Sequence, residues 1–138
     1  MDDEAIDDLR SALARIIRRL KAEKADDQLG DTHSSVLMLL SREGPRTLRE
    51  LSDHARVTPP SMSQTINSLA AAGLVCRKGD PTDRRKVLVV PTRAGKTFAN
   101  ETSRRRHEWL SRQLEGLSDA DSKALVRATR ILRQIADG

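Results

Sequence analysis

Between Thr58 and Ala72 the chain places Ser61, Ser63, Gln64, Asn67 and Ser68 on a segment without a charged residue, although charged residues make up 33% of the whole. The amides of Gln64 and Asn67 each offer a donor beside an acceptor. Such a side chain can bond adenine N6 and N7 together in a major groove. Ser61 and Ser63 lie near a helix start, where free N–H groups and the helix dipole favour a phosphate. Just downstream come Arg77, Lys78, Asp83, Arg84, Arg85 and Lys86. A basic ribbon suits phosphates, and an arginine at a hairpin tip suits the negative potential of a narrow minor groove. Asp83 can aim one of these arginines through a bidentate pair. A neutral rod beside a cationic finger points to a double-stranded nucleic acid.

The elements that must hold these groups follow from periodicity and punctuation. Met62, Ile66 and Leu69 recur at helical spacing, so one face turns inward and Pro60, Gln64, Asn67 and Ala71 face out. Thr58 is the expected helix cap, Pro59 takes the first helical position, and Gly73 ends the helix. Leu74–Lys78 and Lys86–Pro91 read as strands, joined by the turn chemistry of GDPTDRR. Upstream, Thr47 and Glu50 have capping-box spacing for a short helix that turns Leu48, Leu51 and Ala55 inward. Val36, Leu37, Leu39 and Leu40 mark a helix that Asp31 or Thr32 can cap and that ends before Gly44-Pro45. The first helix, from Asp2 to Lys24, carries the stripe Ile6, Leu9, Leu13, Ile16 and Leu20. Thr92 caps a long helix toward Leu114. Gly116 interrupts, and Ser118 caps a last helix with the stripe Leu125, Ala128, Ile131, Leu132 and Ile135.

This order describes a mainly α chain with a small β-hairpin: a winged helix-turn-helix with N- and C-terminal dimerisation helices. Residues 31–96 form the nucleic-acid-binding lobe, and 1–30 and 97–138 the helical dimerisation region of one domain. The terminal helices carry more apolar surface than the small middle unit can cover, which suits an isologous dimer.

Composition bounds the rest. The 138 residues carry a net charge of +5, and Phe98 and Trp109 are the only aromatic side chains. Leu74 to Lys96 sets seven cations against Asp80 and Asp83 alone, while the N-terminus opens acidic with Asp2, Asp3, Glu4, Asp7 and Asp8. Solubility needs no such segregation; a polyanionic partner does. The single cysteine, Cys76, excludes an internal disulfide and suits a reducing compartment. A signal-peptide run and a membrane-spanning stretch are both missing, so a cytoplasmic protein without a membrane partner is expected.

The stretch Asp83-Arg84-Arg85-KVLVV-Pro91-Thr92-Arg93-Ala94-Gly95 resembles the wing signature of the MarR family, Asp-x-Arg, five residues, then Leu-Thr-x-x-Gly. Pro91 stands where Leu is usual, which should end the second strand. LRELSDHARVTPPSMSQTINSLAAAGLV is similar to the family's helix-turn-helix, with Leu69, Gly73, Leu74 and Val75 forming its exit. The likeness spans about Thr32 to Gly95; beyond it, the helices match in length and order. It implies a homodimer on a palindromic operator, repressing nearby genes and answering a small aromatic or phenolic effector or an oxidant. It also implies that Asp83 orients Arg85, that Arg84 or Arg85 enters the minor groove, and that Ser61, Ser63, Gln64 and Asn67 lie in the major groove.

Other reactive side chains read as structural. Cys76 sits in an alternating strand, and the N-terminal cysteine of the family's oxidant sensors is absent. His33, His54 and His107 lack partners at metal spacing, so no metal or cofactor is expected. His33 reads as a surface or capping residue ahead of a ligand contact, Trp109 as dimer core or rim, and Arg104-Arg105-Arg106 as a solvated helix face ahead of phosphate contacts. Two other classes remain in view. One is a winged-helix module for protein or RNA assembly without operator specificity. The other is a thiol enzyme built on Cys76, which has no base, phosphate loop or metal set to support it.

Overall fold

Helix starts follow their caps. In the computed structural model, which describes residues 1–138, the side chains of Asp2, Thr47, Thr58, Thr92 and Ser118 each accept from the N–H three residues on. A helix begins directly after each: α1 (Asp3–Ala22), α3 (Leu48–Ala55), α4 (Pro59–Ala71), α5 (Arg93–Leu114) and α6 (Asp119–Asp137). The capping box at Thr47 closes, with the Thr47 N–H donating back to Glu50 Oε1 at 3.3 Å. The exception is α2 (Asp31–Glu43), whose cap is neither Asp31 nor Thr32 but Gly30, with no side-chain bond. Asp31 is already helical, and its carboxylate accepts from Lys24 Nζ at 3.3 Å instead.

The two expected strands form as β2 (Val75–Gly79) and β3 (Val87–Pro91), and Pro91 is the last strand residue. A third strand, β1 (Arg46–Thr47), was not expected. It pairs Arg46 with Val89 and Thr47 with Leu88, making an antiparallel sheet in the order β1-β3-β2. Two residues are too few to show a period of two, so pairing with β3, not local sequence, creates this strand.

The core lies in the middle of the chain. Leu37, Leu51, Met62, Ile66 and Leu69 are fully buried, with Val75, Val89 and Phe98 closing the cluster. α4 therefore rests on three apolar side chains spaced as the sequence suggests, plus Thr65, whose hydroxyl donates to the Ser61 carbonyl. Gly95 seats α5 against the sheet. A Cβ there would lie 2.1 Å from the Leu74 carbonyl oxygen, a distance no side chain survives.

α1 and α5 are joined by polar groups, two of them arginines expected on a solvated face. Arg106 Nε donates to the carbonyls of Leu20 and Glu23 at 3.0 and 3.1 Å, and Arg105 donates to that of Lys24. These carbonyls end α1, where the helix dipole is negative and cations are favoured. Arg105 and Arg106 thus clamp α1 to α5, whereas Arg104 keeps the solvated face expected of the run and pairs with Glu101 and Glu108 of its own helix. Arg104 and then Arg105 hold the Glu101 carboxyl down at about 2 by hydrogen bonds. Buried Thr102 accepts from the Ala25 N–H, and Trp109 is covered by α1, with Arg19 stacked 5.2 Å above its ring. α1 and α6 themselves contain no buried residue.

Candidate nucleic-acid interface

Burying Met62, Ile66 and Leu69 turns the opposite side of α4 to solvent. Ser61, Gln64, Asn67 and Ser68 are exposed there, together with Pro60 and Ala71; Ser63 is half-buried at the margin. α4 itself contributes no carboxylate or cation to this face. The start of α4 differs from expectation. Pro59 and Pro60 have no N–H, and Thr58 Oγ1 takes the N–H of Ser61 at 3.3 Å. The first turn therefore offers no free N–H to a phosphate, leaving only its hydroxyls and the helix dipole.

The wing is built by its aspartates. Asp80 Oδ1 accepts from the N–H and hydroxyl of Thr82, each at 2.9 Å, folding the turn. Those bonds, the N–H first, hold the Asp80 carboxyl below its ordinary range. Asp83 Oδ1 accepts from the Arg85 N–H at 3.0 Å and from Arg85 Nε at 3.3 Å. One oxygen serves both donors, so the pair is not the fork-to-fork arrangement expected. Its effect is to fix the direction of Arg85, whose side chain remains 92% exposed. Arg84 and Lys86 are exposed beside it.

One side-chain hydrogen bond joins the recognition helix to the wing. Arg77 of β2 donates through Nη2 to Asn67 Oδ1 at 2.7 Å. Asn67 therefore does not stand free with both its donor and its acceptor open. The sequence shows both residues but not that they meet. Below the wing tip, Arg85 and Lys86 share an open cleft with Thr47, Arg49, Asp53 and Pro59. This adds Arg49 of α3 to the cationic surface. An isolated arginine on a short helix gave no signal of that role.

The remaining reactive groups do not converge on this surface or elsewhere. Cys76 is half-buried in β2 opposite Val90, and His33 is half-buried beside Gly30 at the start of α2. No three His, Cys, Asp or Glu side chains gather within reach of one metal ion.

A three-helix lobe whose exposed neutral helix leads into a basic wing has its counterpart among known proteins. The family model described as MarR family matches residues 27–86. An HTH-type transcriptional regulator of Mycobacterium leprae is 32% identical over 136 residues, spanning 99% of this chain and 95% of the relative. The chain belongs to the MarR family. Its members and relatives are DNA-binding transcriptional regulators of winged-helix fold, not enzymes. Among solved structures, RV1404 from Mycobacterium tuberculosis superposes with a TM-score of 0.87 at 24% identity, over 99% of this chain and 95% of that one. BpsR of Bordetella bronchiseptica, whose DNA binding is regulated by 6-hydroxynicotinic acid, superposes with a TM-score of 0.67 at 27% identity, over 94% and 91%. No helix of this MarR-family chain is long and apolar enough to cross a membrane.

Proposed function

We propose that this MarR-family regulator acts as a homodimer on a palindromic operator, repressing adjacent genes until a small aromatic or phenolic acid loosens its grip. Residues 31–96 serve as the DNA-binding lobe, and 1–30 with 97–138 as the dimerisation region. Ser61, Gln64, Asn67 and Ser68 face the major groove with Ser63 at the edge. Arg85, aimed by Asp83, or Arg84 beside it enters the minor groove, Lys86 lies along the phosphates, and Arg77 stands against Asn67 at the edge of the recognition helix. The reading is carried by one observation: an exposed helix face without charge, next to a cationic tip held outward by its own aspartate. Protein-binding faces rich in charge-free polar groups exist too, but they do not need a cationic finger alongside.

Dimerisation draws support from the bare apolar residues of α1 and α6, among them Ile16, Ile17, Val126, Ile131 and Ile135. The effector draws support from a pocket between α1 and the start of α2. There Arg18 and Lys21 flank Ala14 and Ile17, while Lys24 is already paired with Asp31; the two open cations on an apolar floor are a setting for a carboxylate on an apolar body. BpsR answers a ligand of that chemistry.

Competition binding tests the reading. Palindromic duplexes from the gene's own upstream DNA compete against scrambled duplexes of equal length at physiological salt, with and without 6-hydroxynicotinic acid and simple phenolic acids. A specific operator should win by about a thousandfold or more, and an effector should erode that margin. Equal affinity for every duplex would leave a winged-helix interaction module as the better description.

A further inference from the structure

Resting on the DNA-binding reading, we propose that Arg77 is a positioning residue: it turns the Asn67 amide so that the recognition helix reads guanine, not adenine, at that step of the half-site. The contact is the bond from Arg77 Nη2 to Asn67 Oδ1, 2.7 Å long, the length of a charge-assisted bond. A guanidinium carries five N–H donors and accepts nothing. The amide group beside it must therefore present its oxygen. Its nitrogen, with two donors, points the other way.

This orientation changes what Asn67 can recognise. Adenine offers an acceptor at N7 and a donor at N6, and a free amide matches both. With Oδ1 held by Arg77, the N6 amino group would have to share that oxygen with a cationic donor. Guanine offers acceptors at both O6 and N7. It matches what the pair leaves open: the Asn67 N–H groups and the unused N–H groups of Arg77. α4 carries no arginine of its own. The neighbouring strand lends it one, and Arg77 and Asn67 are both exposed where they meet.

Selection from random duplexes with the full chain tests this, run on wild type, Asn67→Ala, Arg77→Ala and Arg77→Lys. Asn67→Ala should flatten base preference at one position per half-site and so identify it. Wild type should enrich guanine there. Arg77→Ala frees the amide and should move that position toward adenine by about tenfold, the scale of one bidentate contact. Arg77→Lys keeps a cationic donor and should keep guanine. The assignment is overturned if Arg77→Ala weakens all duplexes alike with every preference intact, since Arg77 then touches only backbone. It is equally overturned if wild type enriches adenine at the identified position, or if Asn67→Ala changes no position. Should wild type enrich no sequence at all, the regulator reading itself falls, and this assignment with it.

Discussion

Two amphipathic helices of this chain meet opposite fates. In α4, Met62, Ile66 and Leu69 are 0% exposed. In α6, Val126, Ile131 and Ile135 remain 67%, 52% and 67% exposed, and nothing in the helix is buried. Full burial of such a side chain stabilises by about 1.5–3 kcal/mol. The lobe has already gained this from its own residues. The terminal helices have not, and the proposed dimer is what would supply it. A regulator divided this way can keep a rigid reading head while its geometry relative to a second head depends on how the terminal helices pack.

The strongest way to break the contrast is to charge the open side. Ile131→Asp together with Ile135→Asp should convert a dimer to a monomer in sedimentation, with the lobe still folded. Operator affinity should drop by about a hundredfold or more, because two linked half-sites become two independent ones. A double variant that sediments as wild type would move the dimer contact away from α6.

A smaller effect sharpens the closed side. Gly95 lets α5 lie against the Leu74 carbonyl, and the Thr92 hydroxyl fastens the same corner by donating to the Gly73 carbonyl at 2.6 Å. Gly95→Ala forces the helix back and should cost about 1–3 kcal/mol, read as a lower thermal midpoint. The loss should be independent of protein concentration, unlike that from the α6 variant. An unchanged midpoint would mean that α5 does not brace the lobe.

What the sequence disclosed follows the range of each interaction. Thr47, Thr58, Thr92 and Ser118 each cap the N–H three residues on. A bond that local can be read from spacing alone, and so can the stripe Met62, Ile66, Leu69. Arg106 escaped because its partners are backbone carbonyls of Leu20 and Glu23, which every residue type possesses. β1 escaped because Arg46–Thr47 is a strand only through Val89 and Leu88. Asn67 and Arg77 each read as a contact to DNA from residue type alone, yet their contact with each other depends on how β2 turns back beside α4. Gly30 caps α2 through its backbone alone, and Asp31, already inside the helix, pairs with Lys24 instead.

The mildest perturbation counts reading heads without touching their fold. The Arg85 side chain is 92% exposed and held only by Asp83, and exposed pairs of this kind contribute little to stability. Arg85→Ala should therefore melt within about 0.5 kcal/mol of wild type. Its effect belongs to binding. Each cation withdrawn from the duplex lowers the slope of log affinity against log salt by about 0.9. A dimer with both wings engaged loses two cations, so its slope should fall by about 1.8. A fall of about half that size means one wing is docked, and no fall removes Arg85 from the duplex. Arg85→Lys keeps the charge and should keep the slope, but it gives up the planar guanidinium that fits a narrow minor groove. Loss of affinity in Arg85→Lys confined to operators with A·T-rich flanks would place the tip of the wing in that groove. Uniform loss would place it on the phosphates.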